Sequence, residues 1–146
     1  MSTEKKYARV GTGVLIQRDD GKILLGLRQG THGAGEWCMP GGKLEFGEKL
    51  FDNGKRETKE ETGLDVDIIG VISVADELRY LSEGKHYFNV GMLAKYKGGE
   101  PKVAEPDKCK EWQWFSLDDL PEKILEGSEL IINSFKAGEV DYNLTK

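Results

Sequence analysis

Residues 42–64, GKLEFGEKLFDNGKRETKEETGL, constrain this chain more than any other stretch. Between a glycine-bounded loop and Gly63 there is room for one helix over about 48–62, with Gly63 as its C-cap. On that helix Glu57, Glu60 and Glu61 share a face, because residues three and four apart are neighbours. The carboxylates repel one another, and two of them stand in the last turn, where the helix dipole disfavours negative charge. Selection for stability alone would avoid such an arrangement. Two readings fit it. In one, the carboxylates form a solvated face, relieved by an Arg56–Glu60 pair and by Lys59. In the other, a divalent cation turns the repulsion into coordination.

The spacing carries further information. Five residues separate Gly42 from Glu48, seven separate Glu48 from Arg56-Glu57, and Glu60-Glu61, Gly63 and Leu64 complete the series. This resembles the signature of the Nudix hydrolases, with every fixed position filled. Met39-Pro40-Gly41-Gly42, the strand-like LLGLR ending at Arg28, and Trp112-Gln113-Trp114-Phe115 extend the resemblance over about 8–122. Residues 33–48 and 105–115 are similar to the MutT-related nucleoside triphosphate diphosphatases, especially the branch that includes the thiopurine-nucleotide diphosphatase and its plant relatives. The resemblance implies an α/β chain of the α+β type: one Nudix domain over 1–146, with a mixed β-sheet packed between helices. Two departures concern packing rather than chemistry. Thr58 stands where an aliphatic residue is usual, and Asn53-Gly54 where small apolar residues are usual. A glycine inside a helix costs about 1 kcal/mol relative to alanine, and Gly54 is expected to allow close helix–sheet contact in return.

A nucleotide's diphosphate linkage is an anion that repels hydroxide. Magnesium neutralises it, positions the phosphates and acidifies a bound water, and it prefers octahedral oxygen coordination. Helical geometry and the family match assign Glu57, Glu60 and Glu61 as Mg2+ ligands, with Mn2+ as a substitute. The resemblance adds the Gly41 carbonyl. It also adds Glu105 in the long polar loop, where an ordinary surface glutamate is an equal reading. The base is either Glu57 or the water acidified by the cation. The resemblance makes Arg56 and Glu48 supports of the glutamate cluster. For substrate contact the candidates are Trp114, Phe115, Arg28 and His86, with Trp37, Tyr87 and Phe88 behind them; stacking on a base is sound chemistry, but strand aromatics also build cores. Tyr80 falls where dinucleoside polyphosphate hydrolases carry a tyrosine, whereas the proline expected of ADP-ribose hydrolases is missing between Gly63 and Gly98. His32 reads as an ordinary loop residue.

The chain's 146 residues suit one domain with a real core. A formal net charge of −5 argues against a broad basic surface for duplex nucleic acid. Cys38 and Cys109 make neither a disulfide framework nor a zinc pattern, and both are expected reduced. No apolar run reaches the length of a membrane span, and MSTEKKYARV has no apolar signal core, so a cytoplasmic protein is the default. The related branch implies a homodimer. Strands are expected over 8–18, 23–28, 65–80, 86–97 and 111–115, a helix start at Ser116, and a terminal helix over 128–137 closed by Gly138. The expected activity is Mg-dependent hydrolysis of a nucleoside triphosphate, oxidised or modified ones included, to monophosphate and pyrophosphate in nucleotide-pool housekeeping. The rivals are a dinucleoside polyphosphate, nucleotide sugar or capped RNA as substrate, and a non-catalytic Nudix-fold binding module.

Overall fold

The structure, a computed structural model, describes residues 5–30, 33–138 and 141–143. His32 lies outside them. Strand β1 (Ala8–Gln17) turns through Asp19-Asp20-Gly21 into β2 (Ile23–Arg28), with Gly21 taking the positive φ of 88° that closes the turn. Two short strands follow, β3 (Trp37–Cys38) and β4 (Gly41–Lys43), and then helix α1 (Leu50–Thr62). The rest is β5 (Val66–Glu77), a 3-10 turn at Leu81–Glu83, β6 (His86–Tyr96), β7 (Cys109–Phe115), α2 (Glu126–Ala137) and β8 (Asp141–Asn143). The strands form one mixed sheet in the order β3-β2-β1-β6-β5-β8, with β4 added to β1 and β7 to β2.

Strand alternation divides the chemistry between two faces. On β1, Val14 and Ile16 join a core with Leu24, Leu64, Val66, Met92 and Ala94 on the α1 side. Leu15 joins Ile23, Leu25, Met39, Ile131 and Ile132 on the α2 side. Thr12 keeps the phase of Val14 and meets Asn53 of α1. Gly11 and Gly13 keep the phase of Leu15 and face Asn89 and Ile131. The parallel pairing of β1 with β6 sets Gly11 opposite Asn89 and Gly13 opposite Gly91, and β4 lies antiparallel on β1 with Gly42 opposite Thr12.

The buried residues of α1 are Asn53, Gly54, Thr58 and Thr62, so it does not dock through an apolar stripe. Gly54 makes the expected close contact: a Cβ there would stand 3.0 Å from Ile68 Cδ1 and 3.1 Å from Met92 Sδ. Gly63 caps the helix at φ 76°, its N–H donating to Lys59 O.

Some expectations fail. Ser116 starts a turn rather than a helix: Asp119 N–H donates to Ser116 O at 3.0 Å and Asp118 N–H to Ser116 Oγ at 3.3 Å. Pro121 disfavours helical geometry in Leu120 and stops the segment there. Strands β3, β4 and β8 were not anticipated, and α2 begins two residues earlier than expected. Among the described residues, no helix is long and apolar enough to cross a membrane.

Candidate active site

Arg56 organises the loop ahead of α1. Its Nε and Nη2 grip Glu48 at 2.6 and 3.1 Å, and its Nη2 also reaches Lys43 O at 3.4 Å. Its Nη1 lies 3.1 Å from Glu57 Oε1 and 3.1 Å from Glu60 Oε2. One guanidinium therefore joins the loop to the acidic face of the helix, using its planar fork. The paired Arg56 holds the Glu48 carboxyl down at about 2. Asn53, fully buried, completes the frame. It accepts from Thr12 Oγ1 at 2.7 Å and donates through Nδ2 to Lys43 O at 2.8 Å and Glu48 Oε1 at 3.0 Å.

The glycines of β4 supply the closeness the site needs. The Glu57 carboxylate lies over Gly42, where a Cβ would stand 2.5 Å from Glu57 Cδ. Gly41 N–H donates to Glu61 Oε2 at 2.8 Å. Glu61 is half-buried, and desolvation pushes its carboxyl up to about 8, with Glu57 and Glu105 adding to the rise against the Gly41 hydrogen bond. Desolvation also raises Glu57, opposed by Arg56. Glu105 pairs with Lys108 at 3.7 Å, yet its charge reaches both glutamates. Glu60 is turned outward to Arg56.

Among the described residues, no three His, Cys, Asp or Glu side chains converge tightly enough to form a finished metal cage. Arg56 draws Glu60 away from the other two glutamates of the helix face. The donor set nonetheless fits a hard divalent cation. Glu57 and Glu61 offer oxygens beside a glycine turn, and burial first, with neighbouring carboxylates adding to it, raises both carboxyls, a penalty that a bound cation would offset.

From Glu61 and Gly41 a cavity of about 300 Å³ runs past Thr12 to Tyr87, Asn89 and Ile131. Arg28 and Tyr87, both candidates for substrate contact, line it. Three further candidates do not line it. Trp114 packs on the α1-side core, edge-on to Tyr96 at 5.2 Å and beneath the Arg18 guanidinium. Phe115, on the other face of β7, packs edge-on to Trp37 at 4.9 Å. His86 is exposed on β6, where alternation turns it away from the face of Tyr87 and Asn89. Both cysteines are free thiols, and burial pushes the Cys109 thiol up to about 11. Thr12 and Asn89 escaped the sequence reading, because a lone polar residue in a strand carries no spacing signal. Asn53 was noted only as a departure.

The NUDIX domain profile matches residues 8–135. The chain belongs to the Nudix family. It is 36% identical to the oxidized purine nucleoside triphosphate hydrolase of Mus musculus, over 83% of this chain and 72% of that one. It is 28% identical to an RNA pyrophosphohydrolase of Erythrobacter litoralis, over 77% of this chain and 79% of that one. The MutT NUDIX hydrolase of Burkholderia pseudomallei shares the fold with a TM-score of 0.80 and 35% identity, over 88% of this chain and 98% of that one. The chain is thus a Nudix-type pyrophosphohydrolase, a family whose hydrolases use divalent cations.

Proposed function

We propose that this Nudix hydrolase converts a purine nucleoside triphosphate, oxidised or modified purines included, to the monophosphate and pyrophosphate with Mg2+, in the upkeep of the nucleotide pool. One observation carries the reading: a single cavity of about 300 Å³ touches Glu61 and Gly41 as well as Tyr87 and Asn89, so one ligand can span the acidic site and the polar and aromatic side chains of β6. The names of the mouse relative and of a 35% identical zebrafish relative, both oxidized purine nucleoside triphosphate hydrolases, point the same way.

Glu57, Glu61 and the Gly41 carbonyl would hold the cation, with Glu105 and Glu60 within reach by side-chain rotation. When bound, the cation neutralises the phosphates and acidifies water. The chain's own residues do the rest. Arg56 orients Glu57 from one side and Gly42 leaves room for it on the other. Glu57, with its raised carboxyl, accepts the proton as water attacks phosphorus, and the phosphoanhydride P–O bond breaks to release pyrophosphate. Gly41 N–H holds Glu61 in place, and Arg28 meets the phosphates.

The test is turnover in magnesium over common and oxidised nucleoside triphosphates, dinucleoside polyphosphates, ADP-ribose, nucleotide sugars and 5′-triphosphorylated RNA, with products resolved. Pyrophosphate plus a purine monophosphate, abolished by chelator and lowered at least about 100-fold in Glu57→Gln, supports the reading. Faster turnover of a substrate other than a nucleoside triphosphate overturns it.

A further inference from the structure

Asn89 is a polar group without an assigned task. It projects from β6 to the α2 face, into the far end of the cavity. Among the described residues, nothing hydrogen-bonds its carboxamide. The amide is held by shape. Its Oδ1 lies over Gly11, where any Cβ would collide with it, and its Nδ2 is 3.6 Å from the Cβ position of Gly127 in the first turn of α2. Ala75, Leu125 and Ile131 supply apolar wall around it, and Tyr87 adds a ring. One cation at this end is already engaged by carboxylates. Arg79 is drawn to Glu77 and Glu126 at 3.6 and 3.9 Å and lies over the Tyr80 ring.

A carboxamide offers two donors and an acceptor in one plane, and this one, half-buried, presents them to the cavity. Its complement is a flat ligand edge that sets an acceptor beside a donor, as a purine does. We infer that Asn89 reads the edge of the purine base and sets base preference. The inference rests on the proposed nucleotide reading of the cavity and adds the residue that makes the choice.

Binding of product monophosphates tests it without turnover. The whole chain, with magnesium, is titrated calorimetrically with AMP, GMP and purine riboside 5′-monophosphate, which has the same sugar and phosphate but no exocyclic group. The parent is expected to hold the better of AMP and GMP at least about fivefold more tightly than purine riboside monophosphate. In Asn89→Leu, and in the smaller Asn89→Ala, that ratio falls to about twofold or less. Asn89→Ala keeps the test alive should the leucine variant fail to fold, and a merely structural role would shift all ligands together rather than their ratio. A parent that does not distinguish the three ligands, or variants that keep its ratio, overturns the inference. Discrimination that depends on Asn89, in a chain that does not hydrolyse triphosphates, would leave the inference standing and defeat the proposed reaction instead.

Discussion

Asn53 shows how one residue can take over work that packing does elsewhere in α1. With no exposed surface, it binds β1 through Thr12, β4 through the Lys43 carbonyl and the loop through Glu48. Asn53→Ala would remove one hydrogen bond from each of these three groups, which keep their other partners in Gly42 and Arg56, and each lost bond costs about 0.5–1.5 kcal/mol. A loss of at least about 2 kcal/mol in urea unfolding is expected, with Thr12→Val and Asn53→Ala far from additive because they break the same bond. A loss below about 0.5 kcal/mol would mean the network relaxes onto water. Glu61 makes the second prediction at this scale. Its carboxyl rises from the ordinary 4.5 to about 8 on folding. A group raised in this way contributes stability that is full below about 4.5 and is lost as pH climbs through about 8. In chelator the melting temperature should therefore fall between pH 5 and pH 8, at no more than about 1.4 kcal/mol per pH unit. Magnesium should restore more stability at pH 8 than at pH 5, and Glu61→Gln should flatten the profile. A melting temperature that rises over this interval in chelator would contradict the burial argument.

Helix α1 sits on the sheet by closeness rather than by greasiness. Gly54 lets it approach Ile68 and Met92, Thr62 Oγ1 returns to Thr58 O at 2.6 Å, and Arg56 clasps its entry because Lys49 offers no side-chain cap. Thr58 is the weak point: it is fully buried and its Oγ1 has no partner among the described residues. Thr58→Val keeps the shape and removes the stranded hydroxyl, so it should stabilise the protein by about 1 kcal/mol in chemical denaturation and leave kcat unchanged. A loss of stability would show that the hydroxyl is satisfied in solution. The same helix shows what a sequence makes legible. Its end at Gly63 and its row of glutamates were readable because capping and helical spacing are local physics. Arg28, named from its place at the end of a family-like strand, lies at the cavity wall. Ser116 misled because an N-cap signal competes with a proline five residues on. β4 and β8 were invisible because three-residue strands exist only through the partners they pair with. Trp114 and Phe115 read as base contacts because the pattern shows an aromatic pair, whereas pairing with Leu24 and Ile23 sends their rings into opposite cores.

At the scale of the whole molecule, β1 divides the labour. One phase of its residues carries Thr12 to α1 and the glutamates, and the other carries Gly11 and Gly13 to α2 and the recess around Asn89. The proposed reacting end and recognition end thus belong to opposite faces of one sheet, and one cavity touches Glu61, Thr12 and Asn89 alike. This geometry makes the two ends separable by mutation. Gly91 lies opposite Gly13, and a Cβ there would stand 2.5 Å from Ile131 Cγ1 and 2.9 Å from Ile131 Cδ1. Gly91→Ala must push Ile131 and α2 outward, carrying the Leu125 and Ser128 walls with them, at an overpacking cost of about 1–3 kcal/mol. On the α1 side nothing touches that position, so the glutamates keep their frame. The expected kinetic signature is a KM raised about tenfold or more with kcat changed less than about threefold, because ground-state and transition-state binding weaken together. Glu61→Gln, on the opposite face, should do the reverse and depress kcat with little change in KM. A Gly91→Ala enzyme whose kcat collapses while its KM holds would show that α2 reaches the reacting end after all, and that the two faces act as one unit.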